Sequence, residues 1–314
     1  MLSSRHHWVE KVQVGLATAL SLAVMYYLVW PMLRPWDPDG AVVFLPAKEY
    51  GRLAIFAGTV WAMAGICALL TLRARPEGAL LATLVGAGAV SLHSGNARLL
   101  LMRYEHHLGD LLRPLTLELV ALAGVLAGAV LVIHVVRWAV RKISPAWVRS
   151  DAPPASQTQT KADPSSPAGV KRAGGPSFAV RLVTSLAAGG LTLLLGMLLG
   201  SVIFFSADRG QILFALAVSF FLASAAASYF FPSTLSAPCW LAPILLGVAM
   251  YLKQYALGGL DTLNWTQVDL WVHALPVDWL TAGCGGAVGG YWLSRRLLDM
   301  KEMSKGAPVP EVEE

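Results

Sequence analysis

The chain has 314 residues, of which 56% are hydrophobic and only 14% charged, with a mean hydropathy of +0.58. A soluble domain carries about a quarter charged residues, so one large soluble core is excluded. The net charge of +5 and pI near 9.2 do not point to nucleic acid, because the basic residues gather at the ends of apolar runs and in one linker rather than along a folded face.

Apolar runs near the roughly 20 residues that cross a 30 Å hydrocarbon core recur along the chain. They predict an all-α polytopic transmembrane bundle of about eight helices, at 12–33, 53–72, 79–102, 114–136, 180–205, 211–231, 239–255 and 279–297. The first run has the outline of a signal peptide. It is too long for one, however, and leads into Tyr26, Tyr27, Trp30 and Pro31 rather than a small-residue cleavage site, so an uncleaved first helix is expected. The seventh run has Pro238 and Pro243 in its first turns, where proline is tolerated, and Lys253 near its end.

Between the fourth and fifth helices, residues 144–177 are rich in Pro, Ser, Ala, Gln and Thr, a composition that buries too little apolar area to offset its ordering entropy. This flexible cytoplasmic linker divides the chain into two four-helix halves, 1–143 and 178–306, followed by an acidic tail at 307–314. Of the 24 Lys and Arg residues, this layout puts sixteen on one side and seven on the other, with Arg98 inside the membrane. Cytoplasmic loops hold the excess, so the N-terminus, linker and C-terminus are expected on the cytoplasmic side of a cell inner membrane.

Small residues spaced four apart, at Gly124/Gly128, Gly196/Gly200, Gly285/Gly289 and Gly286/Gly290, suit close helix packing. The dense run Gly283–Gly290 marks the last helix as the centre of the bundle. Cys67, Cys239 and Cys284 lie in or beside separate apolar segments with no CxxC spacing, so neither a disulfide framework nor a zinc site is indicated.

The third helix carries the sharpest anomaly. Ser91, His93, Ser94, Asn96 and Arg98 fall in a segment that must otherwise cross hydrocarbon, where a charge costs about 2.5 to 3.5 kcal/mol and is expected to find a partner. Glu118 lies about as far after the turn at His106 and His107 as Arg98 lies before it, so an Arg98–Glu118 ion pair is expected. With His93 and Asn96 this pair would form an intramembrane polar site. A haem reading fails, because His93 and His134 differ in depth by ~18 Å and no CxxCH is present; no cofactor or metal is predicted.

On the outer face, Asp261 to Asp278 reads as an amphipathic connection, with Thr266 and Asp269 at capping-box spacing and Trp265, Trp271 and Trp279 as an interfacial belt. Asp269 and His273, at i and i+4, would form a proton-sensitive pair in a lid over the polar site. No P-loop, nucleophile elbow, HExxH, kinase or dinucleotide motif is present. The leading expectation is a non-enzymatic transporter-like bundle whose partners are the bilayer and a small solute. The alternative is an accessory or scaffold subunit of a larger membrane complex, with the charge pair purely structural; an intramembrane lipid-modifying enzyme ranks below both.

Overall fold

The computed structural model describes residues 2–37, 40–105, 107–144, 178–231, 235–258 and 268–305. These residues are all-helical, with no strand among them. The expected linker beyond Ser144 and the acidic tail lie outside the described residues.

The first long helix, α1 (Leu2–Val24), continues through a π-turn at Met25–Val29 into α2 (Trp30–Leu33). Pro31 explains the loosened turn, since it has no N–H to give the carbonyl of Tyr27 one turn earlier. Next come α3 (Tyr50–Leu70) and α4 (Pro76–His93), which opens on proline at its first position. The short α5 (Ala97–Arg103) follows after a break, and then α6 (Leu108–Ile143), the longest helix described. The second part of the chain contains α7 (Phe178–Ile203), α8 (Arg209–Phe230) and α9 (Ala237–Gly258). A 3-10 turn at Leu270–His273, the single turn α10 (Pro276–Asp278) and a π-turn at Trp279–Gly283 lead into α11 (Cys284–Lys305).

Among the described residues, six helices are long and apolar enough to cross a membrane: Trp8–Leu33, Tyr50–Leu70, Leu108–Ile143, Phe178–Ile203, Arg209–Phe230 and Ala237–Leu257. The pair α4 and α5, bent by 54° at Ser94–Asn96, would make a seventh. The expected continuous helix at 79–102 is therefore broken, at the residues Ser-Gly-Asn that favour turns over helix. The last helix does not reach the same apolarity, for a physical reason. Its second half carries Arg295, Arg296, Asp299, Lys301 and Lys305, while its first half is enclosed by protein, with Cys284, Ala287 and Val288 fully buried. Elsewhere large apolar side chains such as Leu131, Leu194, Leu198 and Val202 are exposed over the bundle flanks, as a lipid-facing surface requires. The chain thus has the helices of a multipass membrane protein.

The glycine run fixes the centre. A methyl group at Gly286 would run into the carbonyl of Ala217, and one at Gly290 into that of Phe221, so α11 and α8 touch backbone to backbone. Gly196 and Gly200 likewise make room for the rings of Phe220 and Trp271. Gly124, by contrast, has open space around it, so its spacing from Gly128 reflects no helix contact. Helices distant in sequence pack together, α6 on α9 and α11 on α4. One end of the bundle bears the connections at 34–49 and 268–275 and is called the loop end below; the other carries Arg75, Arg137, Arg141, Arg295 and Arg296 and is called the basic end.

Candidate functional site

The break between α4 and α5 frees backbone groups. Ser91 O would normally accept from the N–H of Gly95, but that N–H instead binds Gly40 O at 3.0 Å. Arg209, at the start of α8, takes its place: Nε lies 3.1 Å and Nη2 2.6 Å from Ser91 O, and Nη2 lies 3.2 Å from Ser91 Oγ. A cation at a helix C-terminus also meets the negative end of the helix dipole. On the far side of the break, Asn96 caps α5, accepting from the N–H of Arg98 at 3.0 Å, while its Nδ2 donates to Ala207 O at 2.9 Å just before α8.

Arg209 does not stand alone with its charge. Its Nη1 and Nη2 grip Asp278 bidentately through Oδ2 and Oδ1, the Ser91 hydroxyl donates to Oδ1, and the N–H of Leu275 donates to Oδ2 at 2.8 Å. The Asp278 side chain is fully buried and that of Arg209 is 15% exposed. Four donors on two oxygens saturate the carboxylate, the geometry in which a buried ion pair offsets its desolvation. One cluster thereby joins α4, α8 and the 268–278 connection.

The second buried acid, Glu118 on α6, is handled differently. Its Oε2 accepts from the N–H groups of Phe44 at 2.8 Å and Leu45 at 2.9 Å, drawing the first connection into the bundle with Phe44 fully buried. Ser94 Oγ holds the same connection by accepting from Val42 N–H at 2.8 Å. Glu118 Oε1 has no hydrogen-bond donor among the described residues, and neither does the buried Trp279 Nε1 have an acceptor. The two helices come together where α9 has Gly247: a methyl there would strike Leu119 beside Glu118 and the Trp279 ring.

The structure does not bring Arg98 and Glu118 together. Arg98 is exposed and lies close enough to His273 for its charge to act there. Helical rise places residues at equal depth, but the 54° bend turns α5 off the axis of α4, so depth counted along one straight helix no longer applies. His93 packs against Tyr26 and Trp30 at centroid distances of 4.7 and 5.2 Å, its Nδ1 2.8 Å from Ala89 O. Of the expected site residues, Asn96 meets Arg98 through the latter's backbone N–H, while His93 and Glu118 are each tied to other neighbours.

The Asp269–His273 pair is also corrected. The Asp269 carboxylate caps the 3-10 turn at Trp271 N–H and meets Lys253 Nζ at 3.1 Å, while His273 Nδ1 lies 3.4 Å from the Asp269 carbonyl rather than its carboxylate. Burial pushes the His273 imidazole below its ordinary range, opposed by Asp269 and assisted by Arg98. The described part of the connection is no surface helix. Trp271 and Trp279 stack inside the bundle at 5.7 Å and Phe204 packs on Trp271, in place of an interfacial belt. Tyr251 OH donates to Ala274 O and pins the segment from α9. Thr266, Trp265 and His106 lie outside the described residues.

Sequence reasoning missed Arg209 and Asp278, reading one as a loop charge and the other as the end of a connection. Among the described residues no three His, Cys, Asp or Glu side chains converge as a metal site would need. No family model, curated protein or solved structure matches the chain.

Proposed function

We propose that this multipass protein is a non-enzymatic accessory or scaffold subunit of a larger membrane assembly, crossing the inner membrane eight times with both termini in the cytoplasm. The observation that carries the reading is the saturated Asp278 carboxylate: its four donors, Ser91 among them, leave no lone pair for a solute, and Ser94 and Asn96 of the broken third helix are spent on backbone groups. A transport pathway needs polar groups facing a cavity, whereas a scaffold needs them paired.

Transport is kept as a second reading by one observation, the donor-less Oε1 of the fully buried Glu118. The test replaces the charge pair with apolar residues, Arg209→Met with Asp278→Leu. On the scaffold reading the double variant accumulates in the membrane, runs in an assembly of unchanged size on native gels and restores a deletion strain. A double variant of unchanged thermal stability that fails to restore the strain would point to a working charge and to transport. Topology is checked separately by reporters at both termini and at Gly40, which should give cytoplasm, cytoplasm and outer side.

A further inference from the structure

We propose that the cavity at the loop end, between α2, α5 and the 34–49 connection, binds the headgroup of a zwitterionic phospholipid, a phosphate that carries an ammonium as in phosphatidylethanolamine. The cavity holds about 230 Å³, and its wall includes Leu33, Trp36, Asp37, Glu49, Arg103 and Tyr104.

The ends of the spans set its depth. The first span stops at Leu33, the second begins at Tyr50, next to Glu49, and the bent pair α4 and α5 stops at Arg103. Three segments of chain thus leave the hydrocarbon at the cavity, which is where headgroups lie. Trp36 is 93% exposed, and with the exposed Tyr50 it supplies the amphipathic rings that favour this level. Leu99 on α5 lines the cavity and is also 51% exposed, so the apolar lining runs on to the outer surface of the bundle, where the start of an acyl chain can lie.

The cavity carries both signs of charge. Arg103 Nη2 stands 4.0 Å from Asp37 Oδ2, with the side chains 73% and 53% exposed, and among the described residues this is the one partner of Arg103. A pair so long and so open to solvent contributes little, so the guanidinium keeps its fork for a phosphate. The acids decide which phosphate. Asp37 stands beside Arg103 and has a further partner in the chain, and Glu49 is held by Arg52 Nη1 at 2.7 and 2.8 Å. A headgroup of net negative charge would meet both carboxylates, whereas one that ends in an ammonium brings a cation to them. Trp36 and Tyr104 add aromatic rings, which attract an ammonium as well. Arg34 and Lys48 on the same connection are exposed and lie outside the lining, so Arg103 is the cation that the phosphate meets.

The test is native mass spectrometry of the full chain released from micelles holding equal amounts of phosphatidylethanolamine and phosphatidylglycerol, which share a phosphate and differ in net charge. Phosphatidylethanolamine should be retained over phosphatidylglycerol by about threefold or more, the ratio that one or two exposed charge contacts supply. Arg103→Gln should lower the retention of phosphatidylethanolamine by a similar factor, and Arg103→Lys should restore most of it. Asp37→Asn should bring the two lipids close to equal. Arg113→Gln, exposed on α6 and outside the cavity, should change nothing. Equal retention of the two lipids by the unaltered protein, or a preference for phosphatidylglycerol, would overturn the proposal, and so would an Arg113→Gln loss as large as that of Arg103→Gln. Displacement of phosphatidylethanolamine by millimolar phosphoethanolamine would also overturn it, because the cavity would then take a free solute rather than a lipid. If a variant fails to fold, the preference of the unaltered protein still decides.

Discussion

The two connections at the loop end are each drawn into the bundle by a buried carboxylate that accepts backbone N–H groups, yet the two acids are finished differently. Asp278 receives Leu275 N–H and then an arginine and a serine, so charge and lone pairs are both compensated. Glu118 receives Phe44 and Leu45 N–H on one oxygen and, among the described residues, nothing on the other. The same local device thus serves as a closed ion-pair lock in one connection and as a half-filled acceptor in the other. The contrast shows that backbone N–H groups suffice to hold a loop, while neutralising the acid is a separate problem that only one site solves with a cation.

The largest effect expected from breaking the comparison is at the closed lock. Arg209→Ala or Asp278→Ala leaves the other charge buried without its partner and should cost about 3 to 5 kcal/mol, read as lost membrane accumulation or a large fall in thermal stability. Asp278→Asn should fail almost as badly, because Arg209 loses its counter-charge. At the half-filled site the outcomes separate. Glu118→Ala strands two backbone N–H groups and should cost about 1 to 3 kcal/mol, but Glu118→Gln keeps the acceptor and should stay within about 1 kcal/mol of the unaltered protein. Equal damage from Asp278→Asn and Glu118→Gln in thermal melts would erase the distinction between the two sites.

Smaller effects sharpen it. Arg98→Ala should cost less than Arg209→Ala, since Arg98 is exposed at the surface of α5. The smallest is a pH effect at His273. Burial lowers its proton affinity in the folded chain, so the unfolded chain, at the ordinary value near 6.5, binds the proton first as pH falls. Stability should therefore decline as pH drops through about 6.5, and His273→Gln should flatten that decline in melts taken between about pH 7.5 and 5.5.

Helix positions were legible because apolar runs and prolines act locally. The glycines at 286 and 290 were legible as contact points because four-residue spacing repeats on one face, although the same spacing at Gly124 has no contact, so spacing alone does not name the neighbour. Glu118 was legible as an anomaly but its partner was not. Depth arithmetic assumed a straight helix through Ser94–Asn96, and the bend sends Arg98 elsewhere. Arg209 and Asp278 escaped notice for a related reason. Each sits at a helix start, where a charge reads as a surface residue, and they meet only because the connection before α10 folds inward across a separation of 69 residues. The Ser-Gly-Asn break was the available signal: a helix that ends inside a bundle leaves carbonyls needing donors, and one of them is supplied here by Arg209 from elsewhere in the chain.

The central claim is that the Arg209–Asp278 lock is structural, and a double-mutant cycle in thermal melts of purified protein tests it most directly. The two single substitutions to Met and Leu and their combination should give a strongly non-additive result, with the double variant more stable than either single variant and below the unaltered protein only by about 1 to 3 kcal/mol, the cost of the Leu275 N–H and Ser91 groups left without partners. Strict additivity, with the double variant losing the sum of the two single effects, would contradict the account.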